Sequence, residues 1–229
     1  MRKIDKSEIL AAEYKSWTDR YDKTNQNHPK YYSSHKYHKD VLVSLLYCQK
    51  GLCAYTEILI ARKERYAPDN FDENGRYIKR EKEISGFAAQ LDHFDSTLKS
   101  EKGWLWNNFF AVSDKINVQK TNKPVDEILK PDAPEYDPHK FLAYDKDRHV
   151  FYPNPDIEDD CLVERIGEMI DLLGLNYGTI KDHRISYLSP VLNRLFFLGI
   201  REHVYQFVTA YQMCEQQIFA MQEESGGKY

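Results

Sequence analysis

The strongest constraint on this chain is a spacing. Leu91-Asp92-His93-Phe94 is followed, fifteen residues after the histidine, by Asn108 within Trp106-Asn107-Asn108-Phe109. Asn117 comes nine residues later, within Ile116-Asn117-Val118-Gln119-Lys120. Phe87 to Phe94 reads as a strand delivering Asp92 and His93, Trp104 to Val112 is apolar, and Ser113 to Thr121 reads as a short helix. Strand, loop and helix then bring two carriers to one point from opposite sides.

Those residue types suit hydrolysis assisted by a divalent metal. An unperturbed imidazole is neutral near pH 7, so His93 can act as a base toward water. Asp92 is a hard oxygen donor of the kind that holds Mg²⁺ or Mn²⁺, and Asn117 offers a second oxygen. Asn108 reads as a hydrogen-bond partner for one imidazole nitrogen, fixing tautomer and ring orientation. The plainer alternatives are a satisfied core histidine and two asparagines at turns or caps. Lys99, Lys102, Lys115, Lys120 and Lys123 form the best basic patch near these residues and are candidate phosphate contacts.

Around this set the elements read as follows. Residues 7–21 carry Ile9, Leu10, Tyr14, Trp17 and Tyr21 at near-helical spacing, with Ser7 as the expected N-cap. Residues 25–34 read as a loop. A second helix is expected from about His38 to Lys50, stopped by Gly51, with Leu52 to Ile60 as a short strand. Arg62 to Glu83 is strongly charged and reads as a solvated loop or projecting hairpin. Extended pieces are expected around 140–144 and 149–152. An apolar stripe at Leu162, Ile166, Met169, Ile170 and Leu173 predicts a helix closing near Gly174. Ser189-Pro190 reads as the start of a long final helix running past Met221, with a frayed tail at 225–228.

The formal net charge of −4 weighs against coating nucleic acid through bulk charge, so any contact with DNA needs a local patch or a partner. No apolar run is long enough for a membrane span, and the first residues have no apolar leader pattern. Cys48, Cys53, Cys161 and Cys214 are too scattered for a disulfide framework, which fits a reducing cytoplasm.

The motifs resemble the HNH endonuclease superfamily and, more narrowly, the HNH subunit of the Septu antiphage system and retron-linked HNH proteins. Gly51-Leu52-Cys53-Ala54-Tyr55-Thr56-Glu57, Asp92-His93-Phe94, Trp106-Asn107-Asn108-Phe109 and Ser113 to Lys120 match successive family segments. Leu172-Leu173-Gly174-Leu175-Asn176, with Arg184 after it, matches a fifth. The resemblance implies an α+β fold, with a small ββα-metal core embedded in a mostly helical chain. Three segments follow: a helical 1–50, a nuclease core over 51–125 with a charged insertion at 62–86, and a helical 126–229. It also implies His93 as general base, Asn108 as its orienter, Asp92 and Asn117 as ligands of a catalytic Mg²⁺ or Mn²⁺, a DNA substrate, an ATPase partner and a role in phage defence. Relatives with two Cys-x-x-Cys pairs hold a structural zinc. Here those positions are Cys53, Thr56, Ser113 and Ile116, and no structural zinc is expected. Ser96 stands where many relatives have proline. A catalytically silent adaptor and an RNase are the alternative readings.

Overall fold

The structure, a computed structural model, describes residues 1–78 and 89–224. It is mixed α+β, with helices and two separate two-stranded antiparallel sheets. The chain divides into two units, one built from residues 4–54 and 59–125, the other from 1–3, 55–58 and 126–229. The expected segments 1–50 and 51–125 thus fall mostly into a single unit, and 126–229 into the other. Among the described residues, no helix is long and apolar enough to cross a membrane.

In the first unit, α1 spans Ala12–Lys23 and α2 spans His38–Cys48. The first helix starts later than its periodicity predicts. Ser7 caps no helix; its own N–H donates to Asp5 Oδ1 in an extended lead-in. The second buries Val41, Leu42, Leu45 and Leu46, as its pattern requires, with Cys48 half-buried. It stops where Lys50 and Gly51 take positive φ, and a Cβ at Gly51 would lie 2.1 Å from the Ala61 carbonyl oxygen. The expected strand over Leu52 to Ile60 does not form. Only an isolated bridge joins Leu52 to Leu59, because the intervening residues turn away, with Glu57 at positive φ.

Strand β1 (Ala89–His93) pairs antiparallel with β2 (Phe109–Ser113), His93 opposite Phe109 and Asp92 opposite Phe110. The chain passes from β2 straight into α3, Asp114–Lys120. Burial of both faces explains the near-continuous apolar run Phe109-Phe110-Ala111-Val112, all below 1% exposed. The expected start of β1 at Phe87 lies outside the described residues, as does the end of the charged insertion.

The described part of that insertion does not project. Its turn is fastened to α2 by Asp40, which accepts from Arg76 Nε at 2.6 Å and from the Tyr77 N–H at 3.0 Å. Gly75, at positive φ, comes so close to α1 that a Cβ would lie 2.3 Å from the Ala12 nitrogen. Arg76 is paired in this way, whereas Arg62, Lys63, Glu64, Asp69 and Glu73 are exposed, as a solvated charged segment requires.

The second unit holds the hairpin of β3 (Leu142–Asp145) and β4 (Val150–Pro153), where extended pieces are expected. Helix α4 (Asp160–Leu172) is capped by Asp159, whose side chain accepts from the Cys161 and Leu162 N–H groups. It closes on Gly174 at φ 69°, with Leu175 N–H bonding Ile170 O and Gly174 N–H bonding Asp171 O. The long final helix is two helices, α5 (Gly178–Leu198) and α6 (Val208–Glu224). Pro190 sits inside α5 rather than at its start. One buried face, Ile180, Arg184, Leu188, Val191 and Leu195, runs through the proline, so packing carries the helix across the lost N–H. Left-handed Gly199 ends it. The tail at 225–228 lies outside the described residues.

Candidate active site

All the candidate residues lie in the first unit. His93 closes β1 with its ring 3% exposed. Its Nε2–H donates to the Gly103 carbonyl at 2.9 Å, which leaves Nδ1 as the basic nitrogen. The rings of Tyr31 and Phe109 lie against the imidazole, each with centroids 4.6 Å away. Burial pulls the imidazole pKa down to about 4; the Gly103 bond opposes this, and the charges of Lys99 and Lys120 add to it. The ring is therefore neutral throughout the physiological range.

The acceptor of His93 is held firmly. A Cβ on Gly103 would lie 2.6 Å from the Lys99 carbonyl oxygen, so the segment reaches the ring only as glycine. The next residue, Trp104, donates its N–H to His28 Nδ1 at 3.2 Å, and its carbonyl accepts the Tyr14 hydroxyl at 2.6 Å. Buried Lys6 donates to the Trp106 and Phe109 carbonyls, both at 2.9 Å, and fixes the entry to β2. Trp104 and Trp106 are core residues.

Asn108 is buried, but its amide does not meet the imidazole. It accepts the Asp95 N–H and donates to the Asp95 carbonyl, both at 2.8 Å, while Phe94 N–H bonds the Asn108 carbonyl at 2.7 Å. Asn108 therefore clamps the backbone that leaves His93. The orientation expected from it is supplied by Gly103. This Asp95 clamp also restrains the loop around Ser96.

Asp92 is buried and faces α3. Lys120, 1% exposed, places Nζ 3.2 Å from the Asp92 carboxylate and 2.9 Å from the His93 carbonyl oxygen. The reading of Lys120 as a surface phosphate contact is therefore corrected: the ammonium is spent inside the unit. Removing one member of such a buried pair typically costs about 3–5 kcal/mol. Asn117, half-buried on the same helix, donates from Nδ2 to Gln90 Oε1 at 2.9 Å and keeps Oδ1 for another partner.

Of the remaining lysines, Lys99, Lys115 and Lys123 are exposed, while Lys102 is tied to Asp22 at 3.6 Å and to the Gln26 carbonyl. Lys99 lines an open depression of ≈ 640 Å³ together with Lys30, Tyr31 and Ser100. Tyr31 lines this depression and packs its ring on His93. Its hydroxyl pKa is raised to about 12, by burial first and by the charge of Asp92 second. Nothing in the sequence marks Tyr31, which comes from the 25–34 loop. Gly103, in the loop before Trp104, is likewise unmarked.

Among the described residues, no group of three or more His, Cys, Asp and Glu side chains is arranged to hold a metal ion. One carboxylate and one amide oxygen are nonetheless donors of the right hardness for Mg²⁺ or Mn²⁺, ions that keep several waters and take their remaining oxygens from phosphate. The donor chemistry fits; Lys120 is the competitor such an ion would meet at Asp92. Of the positions aligned with zinc thiolates, Cys53, Thr56 and Ile116 are buried. No protein-family model matches the chain, and no curated protein or solved structure is significantly similar to it.

Proposed function

We propose that this chain is a metal-dependent endonuclease of the HNH type that hydrolyses phosphodiester bonds in DNA. The observation that carries the reading is the state of His93: a neutral imidazole with Nε2 committed to Gly103 and Nδ1 left basic, on the strand that also carries Asp92 and is followed through β2 by the short helix of Asn117. In this reading Nδ1 takes a proton from water as that water attacks the phosphorus. The Gly103 carbonyl keeps the tautomer through the transfer and steadies the imidazolium that results. Asn108 holds the Asp95 turn so that the ring does not drift. Mg²⁺ or Mn²⁺ bound by Asp92 and Asn117 would supply positive charge for the phosphate and the departing 3′ oxygen. Tyr31 must move for a substrate to reach the ring, and Lys99, with Lys115 and Lys123, gives phosphate a local cationic approach.

By the resemblance, the chain acts in the cytoplasm as the nuclease subunit of an antiphage complex, with an ATPase partner controlling cleavage. Exposed apolar side chains at the end of α5 and just after it, Phe196, Phe197, Leu198 and Ile200, with Tyr205 farther on, are suited to a protein partner. One observation favours the silent adaptor instead: Asp92 is already neutralised by Lys120. Cleavage assays separate the readings. Purified chain, with the partner ATPase added, should cut plasmid DNA in Mg²⁺ or Mn²⁺, and His93→Ala should lower the rate by about 10²–10⁴-fold while remaining folded. Equal rates for both proteins would remove His93 from the reaction. Loss of cutting in DNA but not RNA substrates would reassign the polymer.

A further inference from the structure

Asp92 and Asn117 are the oxygen donors of the proposed site, and the residue that meets Asp92 is Lys120. Its ammonium lies 3.2 Å from the carboxylate, is anchored a second time on the His93 carbonyl oxygen at 2.9 Å, and is 1% exposed. Asn117 and Lys120 stand three residues apart on α3, hence on one face of the helix. The second donor for an ion and the charge that excludes it therefore come from the same turn. The ammonium faces both carboxylate oxygens, Oδ2 at 3.2 Å and Oδ1 at 3.4 Å, so a divalent cation on either would stand within a few ångströms of it and be repelled in a poorly screened interior. We propose that Lys120 is the counter-ion of Asp92 in the metal-free protein, that a divalent cation enters only by displacing it, and that Lys120 thereby sets the metal affinity of the site. The inference rests on the nuclease reading for the position of the metal. It adds a device that holds the site in an uncharged resting state and requires Lys120 to move before the site is complete. The lysine stem is long and unbranched, so the displaced ammonium can swing outward from α3, and an incoming phosphate would offer it a new anion.

The test needs no nucleic acid. Mn²⁺ binding to the full chain, followed by the electron paramagnetic resonance signal of free Mn²⁺, should be at least about tenfold tighter in Lys120→Met than in the wild type. Lys120→Arg should stay weak, and adding Asp92→Asn to Lys120→Met should erase the gain. Unchanged or weaker binding in folded Lys120→Met overturns the proposal. Lys120→Met leaves a buried carboxylate without its partner, so the wild-type chain supplies a second measure that does not depend on the folding of the variant. Amine acetylation read by peptide mass spectrometry should find Lys120 protected without metal and reactive in saturating Mn²⁺. Equal protection of Lys120 across the Mn²⁺ titration also overturns it. Failure of the nuclease reading would show differently, as a chain that exchanges Lys120 for Mn²⁺ yet cuts no DNA.

Discussion

At the scale of single residues, desolvation of His93 links chemistry to stability. Burial holds the folded-state pKa at about 4, against 6.5 for a free imidazole. Above pH 6.5 both folded and unfolded rings are neutral and the contribution is complete. As pH falls below 6.5 the unfolded chain takes up the proton first, and stability is lost until the folded ring titrates near pH 4, a total of about 3 kcal/mol. Urea denaturation between pH 7 and pH 4.5 should therefore show a shallower pH dependence in His93→Gln than in the wild type; identical slopes would mean the ring is not desolvated in solution. Asn108 makes a second residue-scale case. Truncation to alanine leaves the Asp95 N–H and carbonyl without partners in a half-buried turn, costing about 1–3 kcal/mol. Asn108→Ala should lower the midpoint of denaturation and reduce cleavage together. A variant that loses cleavage at full stability would restore a direct role on the imidazole.

At the scale of elements, β1 and β2 with α3 form a unit whose parts are separately legible. The strand ending in Asp92-His93, the apolar return and the short helix follow from alternation, run length and helix periodicity. The connection between the strands was less legible, because its order comes from backbone contacts with residues far away in the sequence: Tyr14, His28 and Lys6. Gly103 is its sharpest point. Gly103→Ala forces a Cβ to 2.6 Å from the Lys99 carbonyl and shifts the acceptor of His93. We expect it to destabilise the chain by about 1–3 kcal/mol and to change the Nε2–H resonance of His93 in nitrogen-15 histidine spectra. An unchanged resonance would show that the ring is oriented by something other than Gly103. Helix α5 teaches the converse lesson. Ser189-Pro190 has the local chemistry of a helix start, but a buried face continuous on both sides of it outweighs the missing N–H.

At the scale of the whole molecule, the aromatic residues near the C-terminus divide into two classes that sequence alone treats alike. Tyr211 is 6% exposed and Phe207 2%, whereas Tyr205 is 68% and Phe197 74% exposed. Tyr205→Glu and Phe197→Glu should leave the melting temperature within a few degrees of wild type and abolish capture by the proposed ATPase partner. Tyr211→Glu should unfold the second unit instead, since it buries an unpaired carboxylate. Retained capture by folded Tyr205→Glu would move the partner surface elsewhere. Arg184 shows the same division from the other side. Fully buried, it donates to the His149 and Leu175 carbonyls beneath the rings of Tyr144, Phe151 and Phe207, while Asn176 brackets Phe151 through its N–H and carbonyl. The Leu-Gly-Leu-Asn segment thus serves to hold the hairpin and helices of its own unit together.

By itself the sequence determined what depends on neighbours along the chain: helices α2 and α4, the strand that ends in Asp92-His93, the extended course of the chain near 140–144 and 149–152, the glycine stop after α4 and the choice of His93, Asp92, Asn108 and Asn117 as candidates. Only the tertiary structure decided what those side chains touch. Lys120 is charged and reads as solvated until α3 turns it inward to Asp92. Asn108 reads as a ligand to the imidazole until the strand register sets it against Asp95. Tyr31 and Gly103 acquire their places at His93 through packing alone. Periodicity records which face of an element is apolar, but the partner of a polar group is chosen by three-dimensional proximity and the cost of leaving it buried and unpaired.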